Sequence, residues 1–319
     1  MSSQTLALCI PAYNAATLLP RLLDSARKQI CAFDEILVYD DCSTDDTAVV
    51  ASQFDVRLVR SDINRGCAFG RNVLAEKTSC EWVHFHDADD ALYPNFVEQA
   101  RNWMEDESTD VVLFGFDWVD DLTGKKLDTR HYDHEALTRD PIAFTLAEQI
   151  QSICGIYRRD RFLQAGGYDV DPEVLYNEDV AMHCQLARFG LRFAADPAVT
   201  VINYRRANSM SAANQVKCSR AHYQVLRKSA AKLDAKYADV LAEQLWHAAG
   251  VSATYLDWTT ADMAAELAMS LKGRVPARAD FLFKALCFVE PHLALRAREY
   301  LIRLVKPRYR KGVQQYLEA

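Results

Sequence analysis

The sequence predicts an α/β fold, a mostly parallel sheet flanked by helices and followed by a helical C-terminal extension. Three observations carry that prediction. Short β-rich apolar runs alternate with helical periodicity over the first 120 residues. Polar and acidic residues gather where several of those runs end, and beyond residue 214 the strand-like runs give way to Ala-rich helical periodicity.

The elements follow in order. An apolar run at 6–10 precedes a helical pattern at 17–29, and the pairing recurs as 35–40 with 44–54, 56–59 with 68–77, and 82–87 with 95–104, before a further run at 111–116. Such βαβ alternation builds a parallel sheet whose ligands bind at the carboxyl ends of the strands. Tyr13 and Asn14 follow the first run, Asp40 and Asp41 the second, and Asp87, Asp89 and Asp90 the fourth. Ser43 with Asp46 three residues on predicts a helix N-cap. From 120 to 176 the pattern loosens to a turn at 123–124, a helix at 142–149 and a helical stretch at 158–165 stopped by Gly166 and Gly167. A helix at 178–189 ends at Gly190, and strands are expected at 191–195 and 199–204. The later helices break at 273–276 and at Pro291, and a boundary near 212–215 gives a domain at 1–212 and a helical region at 213–319.

Composition narrows the class. The 319 residues are 50% hydrophobic and 25% charged, with 37 basic against 44 acidic side chains, which excludes a disordered or fibrous chain. The net charge of -7 divides unevenly: residues 1–270 hold 26 basic and 40 acidic groups, residues 271–319 hold 11 and 4. The first residues lack a basic segment followed by an apolar one, so no secretory signal is expected. No run reaches the roughly 18 apolar residues of a membrane span. Nine scattered cysteines without a Cys-x-x-Cys pair suit small buried residues in a reducing compartment, and a cytoplasmic enzyme is the expectation.

Four constellations carry chemistry. In His86-Asp87-Ala88-Asp89-Asp90, carboxylates two residues apart at a strand end can converge on a hard cation, magnesium or manganese, that keeps positions open for phosphate; a solvated acidic loop is the alternative. His84 and His86 lack the further histidine of a hydrolytic zinc motif and read as structural. Asp40 and Asp41 can accept the imide N–H of uracil, with Ser43 to Asp46 serving as turn and cap. Arg71, near the start of the third helix, suits an anion, and Arg65 reads equally as surface. Glu178 and Asp179 open a helix, where one can act as general base on an acceptor hydroxyl while the other caps; dipole compensation is the alternative.

Together the motifs IPAYN at 10–14, DDCSTDDT at 40–47, NRGCAFGRN at 64–72, HDADD at 86–90, GGYD at 166–169 and NEDVAMHCQLARFG at 177–190 resemble family-two glycosyltransferases of the GT-A fold. The resemblance covers the first 210 residues. It implies a Rossmann-like mixed sheet flanked by helices, and inverting transfer from a UDP-sugar to a hydroxyl of a glycan or lipid-linked acceptor in bacterial capsule, lipopolysaccharide or exopolysaccharide synthesis. Pro11, Tyr13, Asp40 and Asp41 would line the uridine pocket with Arg71 beside it. Asp87 and Asp89 would form the D-x-D motif, with Asp89 the direct ligand of Mn2+ or Mg2+. Asp179 would be the catalytic base, supported by Glu178.

There are departures. The D-D-G-S of the family reads Asp40-Asp41-Cys42-Ser43, with cysteine for glycine, and no Q-x-x-R-W motif of processive synthases is present. YRRANSMS at 204–211 resembles a Y-R-x-H-x-x-S segment but carries Ala207 at the histidine position; Arg205, Arg206 and Ser209 remain to touch the diphosphate.

The tail at 281–311 combines apolar blocks with Arg296, Arg298, Arg303, Lys306, Arg308, Arg310 and Lys311. Leu293, Ala297, Tyr300, Leu301 and Leu304 fall on one helical face, predicting a basic amphipathic helix that docks on the inner face of the cell membrane. Its alternatives are a helix packed on the protein with a solvated basic face, or a homodimer contact. Nucleic acid is not an expected partner. Other function classes compatible with the residues are a nucleotide-sugar-binding scaffold of the same fold and a nucleotidyltransferase, whereas a dinucleotide dehydrogenase lacks its glycine motif after the first strand.

Overall fold

The structure, a computed structural model, describes residues 4–206, 209–272 and 281–310. Ala207 and Lys311 lie outside the described residues. Strands run β1 (Leu6–Ala12), β2 (Glu35–Asp40), β3 (Arg57–Arg60), β4 (Trp82–Phe85), β5 (Ala91–Leu92), β6 (Val111–Asp120), β7 (Lys126–Arg130), β8 (Gly155–Arg158) and β9 (Phe193–Arg205). The helices among and before the last strands are α1 (Leu19–Arg27), α2 (Thr47–Ala51), α3 (Cys67–Lys77), α4 (Phe96–Met104), α5 (His134–Arg139), α6 (Pro141–Ala147), α7 (Arg159–Gln164) and α8 (Glu178–Phe189). Then come α9 (Met210–Ala213), α10 (Gln215–Ala230), α11 (Ala238–Thr254), α12 (Trp258–Lys272), α13 (Phe281–Val289) and α14 (Pro291–Val305).

The chain divides into two compact units. The first, built from residues 1–145, 149–170 and 181–207, holds all nine strands in one sheet of order β3-β2-β1-β4-β8-β6-β9-β5, with β7 on β6. The β3-β2-β1-β4 stretch is parallel, as the βαβ alternation predicts. Strand β8 enters antiparallel between β4 and β6, and β5 runs antiparallel to β9, so the sheet is mixed. Every residue of β1 is buried, the mark of a strand covered on both faces. Helix α1 buries Leu19, Leu22, Leu23 and Ala26 as one apolar stripe. Helix α3 packs close on β2 because Gly70 has no side chain: a Cβ there would meet the Tyr39 ring at 2.6 Å.

Several elements differ from the expectation. Strand β4 ends at Phe85, which leaves Asp87 in the following loop. Helix α2 begins only at Thr47, because Asp45 rather than Ser43 accepts the Thr47 amide hydrogen at 3.0 Å. The two strands expected at 191–195 and 199–204 are the single strand β9, bent by register shifts opposite Phe114 to Phe116. Between 120 and 176, β7 returns on β6 as a hairpin, while α5, whose His134 meets the Ala195 carbonyl, and β8, paired with β4, have partners far away in sequence that local periodicity does not show.

The second unit comprises residues 146–148, 171–180 and 208–319. Buried Ala248, Ala249 and Ala253 of α11 and Ala261, Ala264, Ala265 and Ala268 of α12 allow close helix approach. Helix α14 packs inward through Ala294 and Leu295. Two of its arginines turn inward: Arg296 forks onto Asp262 at 2.9 and 2.7 Å, and Arg303 reaches the buried Glu299 at 2.9 Å, which Arg310, beyond the helix, also meets at 2.7 Å. Leu293, Ala297, Tyr300, Leu301 and Leu304 face outward. Helix α14 thus packs on the protein as one of the alternatives expects, but only part of its basic charge is solvated: buried and half-buried carboxylates draw Arg296 and Arg303 in, whereas Arg298 stays exposed. No helix among the described residues is long and apolar enough to cross a membrane.

Candidate functional site

Register brings the acidic clusters together. Strand β1 lies between β2 and β4, with Ala12 opposite Asp40 and Cys9 opposite Phe85. The segments leaving β1, β2 and β4 therefore share one carboxyl edge, the place where α/β sheets bind ligands. Tyr13 is 53% exposed there, whereas Pro11 is buried within β1.

Asp40 and Asp41 are both buried and already hydrogen-bonded. Asp40 accepts from the Ser43 amide at 3.0 Å and from Arg60 Nε at 3.1 Å. Asp41 accepts the Arg65 and Gly66 amides at 2.8 and 2.7 Å, which fixes the loop leading into α3. The expectation that these two carboxylates are left for a ligand is thus refined: they shape the edge by holding its loops, since a buried carboxylate must recruit donors. Between them and Ser43, Cys42 adopts a φ of 65°, the left-handed region that favours glycine.

Three carboxylates converge beyond β4. One oxygen from each of Asp87, Asp89 and Asp90 lies within 4.8 Å of the others. Asp87 Oδ1 receives Arg71 Nη2 at 2.5 Å, and the buried Arg71 guanidinium also lies 5.1 Å from the Tyr168 ring centroid. Asp89 pairs with Arg206, whose Nε is 3.6 Å from Asp121. Arg21 completes this ring: it pairs with Asp121 at 2.5 Å, donates to the Asp89 carbonyl and stacks 3.6 Å from the Tyr204 ring centroid.

Asp90 has a different task. Its two oxygens accept from the Tyr204 amide and the Asn203 side chain, both at 2.7 Å, tying the loop to β9. Burial, then the neighbouring Asp87, pushes its carboxyl up to about 7. Asp87 and Asp89 are the more solvent-exposed pair, at 39% and 35% of side-chain surface. An all-oxygen set of clustered carboxylates fits Mg2+ or Mn2+ and suits zinc poorly. His84 and His86 are wholly buried, joined at 2.9 Å, and His84 also meets the Gly155 carbonyl at 2.8 Å. Burial drives both below the usual histidine range, His86 to about 3, so they form a neutral structural pair.

The remaining predicted residues separate. Arg205 is exposed, with its guanidinium 4.7 Å from the Trp118 ring centroid, whereas Arg206 turns to the acidic cluster. In the second unit, Ser209 Oγ accepts from the Ala212 amide at 3.3 Å. There too, Glu178 is buried and Asp179 half-buried at the start of α8, and the preceding Asn177 lies 3.3 Å from His222 Nδ1 of α10. Arg21 and Asp121 carry no motif in the sequence, whereas Tyr204 opens the YRRANSMS segment and Asn203 immediately precedes it.

Known proteins resemble this chain in sequence and in fold. Residues 7–164 match the family model "Glycosyl transferase family 2". The succinoglycan biosynthesis protein ExoO of Rhizobium meliloti is 29% identical over 217 residues, 63% of this chain and 61% of that protein. The first curated relatives are matched over only 34–61% of their length. Among solved structures, S. aureus TarS 1-349 in complex with UDP-GlcNAc aligns with a TM-score of 0.70 at 19% identity, covering 94% of this chain and 92% of that one. The mannosyltransferase PcManGT from Pyrobaculum calidifontis, in complex with GDP-Man and Mn2+, aligns at 0.60 and 21% identity, covering 98% and 84%. These neighbours share the GT-A fold, and the match of residues 7–164 to the family model identifies the chain as a member of glycosyl transferase family 2.

Proposed function

We propose that the protein is an inverting, metal-dependent glycosyltransferase moving a sugar from a UDP-sugar to a hydroxyl of a glycan or lipid-linked acceptor in surface-polysaccharide synthesis. The observation that carries this reading is the convergence of Asp87 and Asp89, each paired with an arginine, at the carboxyl edge of the sheet. Support for the substrate class comes from the ExoO name and from the nucleotide sugars bound by the two structural neighbours. All nine cysteines are free thiols, in keeping with action in the cytoplasm. The domain at 1–212 would carry both substrate sites.

Each residue then has a part. Tyr13 offers its exposed ring to the nucleoside, and Pro11, Asp40 and Asp41 hold the surrounding backbone. Asp87 and Asp89 would hold Mn2+ or Mg2+, which when bound supplies Lewis-acid stabilisation of the departing nucleoside diphosphate. Arg71 and Arg206 orient the two carboxylates and balance their charge, and Arg205 and Ser209 add diphosphate contacts. The acceptor oxygen bonds to the anomeric carbon as the bond from that carbon to the diphosphate oxygen breaks. Asp179 takes the acceptor's proton, and Glu178 supports it.

The test is a panel of nucleotide sugars incubated with Mn2+, with nucleoside diphosphate release and thermal stabilisation as readouts. Diphosphate release from a UDP-sugar, lowered about 100-fold or more in Asp179→Asn, is expected. Pyrophosphate release from a nucleoside triphosphate would identify a nucleotidyltransferase instead, and binding with no turnover a scaffold.

A further inference from the structure

We propose that helices α13 and α14 form a docking surface for an anionic lipid bilayer, an inference independent of the transfer chemistry. Ten of the twenty-one exposed large apolar side chains among the described residues fall within positions 281–305. Phe281, Phe288 and Val289 of α13 and Leu293, Leu301 and Leu304 of α14 are each between 53% and 88% exposed. An exposed apolar surface of this density marks an interaction site.

The helices are turned the opposite way from an ordinary surface helix. Arg296 is held by Asp262 of α12, and Arg303, paired with the buried Glu299 of its own helix, donates to the Thr254 carbonyl of α11 at 2.6 Å, so two arginines anchor α14 while its apolar stripe faces out. Helix α13 buries Phe283 and Cys287 and leaves its remaining large apolar side chains exposed, with Lys284 its one charged residue. The occupant is set by charge. Exposed Arg298, Lys306 and Arg308 border the stripe, and residues 271–319 hold 11 basic against 4 acidic groups in a chain of net charge -7. A second copy paired through this same face would set the exposed cations against their own like charges, which opposes the apolar contact. An anionic bilayer satisfies both features: apolar side chains enter the headgroup boundary while cations meet lipid phosphates.

The test uses the full chain and sedimentation with vesicles of phosphatidylcholine alone or with ~30% phosphatidylglycerol. Binding to the anionic vesicles is expected to exceed binding to the neutral ones by about tenfold or more and to fall with added salt. The double variant Leu301→Asp/Leu304→Asp should lose it, and because both side chains are exposed its melting temperature should stay at the wild-type value. As a second readout, Leu304→Trp should show a blue-shifted emission quenched by brominated lipid. No binding to anionic vesicles at low salt would overturn the proposal. So would equal binding to both vesicle types, or a concentration-dependent dimer that the aspartate variant dissolves.

Discussion

Arg71 on α3 and Asp87 beyond β4 meet at 2.5 Å, with the arginine buried and the carboxylate partly open to solvent. The pair links the third helix to the acidic loop across the carboxyl edge of the sheet. Removing the cation leaves a carboxylate cluster uncompensated. Arg71→Ala is expected to lower stability by about 1–3 kcal/mol in urea denaturation and to raise the KM for donor. Arg71→Lys should keep much of the stability, yet lose the planar contact with Tyr168 and so still raise KM. A wild-type KM in Arg71→Ala would remove the residue from the donor site.

Asp89 and Arg206 compete differently. Asp89→Asn should weaken Mn2+ binding by more than the ~10–100-fold that follows loss of an outer-shell partner. Arg206→Ala frees the Asp89 carboxylate from its ion pair, so Mn2+ affinity should rise severalfold while the donor KM worsens. Calorimetric Mn2+ titration of the two variants checks both directions, and equal effects would contradict the assigned roles.

Cys42 occupies the left-handed region where L side chains are disfavoured. Cys42→Gly is expected to stabilise the fold by about 0.5–1 kcal/mol, measured by urea denaturation, and Cys42→Val to destabilise it by at least as much. The substitution tests whether cysteine in place of the family's glycine carries a backbone cost. A loss of stability in Cys42→Gly would mean that the Sγ contact to the Asp62 carbonyl at 3.3 Å outweighs that cost.

Much of the fold and site is legible in the sequence, for reasons particular residues make plain. The apolar run of β1 and the stripe of α1 are local patterns, and motif order alone is enough to gather Asp41, Arg71 and Asp87 at one sheet edge. The ring around Asp89 is not legible. Arg21 lies in an ordinary amphipathic helix, and Asp121 follows a strand whose partners β7 and β9 come later in the chain. The tail shows the same limit: periodicity marks the stripe of α14, but its outward orientation depends on Asp262 of α12.

His222 gives the stability curve a sign. Burial, followed by the charge of His247, lowers it from 6.5 to about 4, so the folded chain keeps it neutral across that window. The unfolded state binds the extra proton there, and stability should fall by about 2–3 kcal/mol as pH drops from 6.5 towards 4. His222→Gln should flatten that part of the curve in urea denaturation at successive pH values. An unchanged slope would assign the pH dependence to other groups.

In the proposed function, Asp87 and Asp89 hold a divalent cation that receives a uridine nucleotide. Titration of UDP into the protein with Mn2+, and again with excess chelator, tests it most directly. UDP binding is expected to weaken by about tenfold or more on chelation in the wild type and to be insensitive to Mn2+ in the Asp87→Asn/Asp89→Asn variant. Tight UDP binding that ignores both chelation and the loss of the two carboxylates would contradict it.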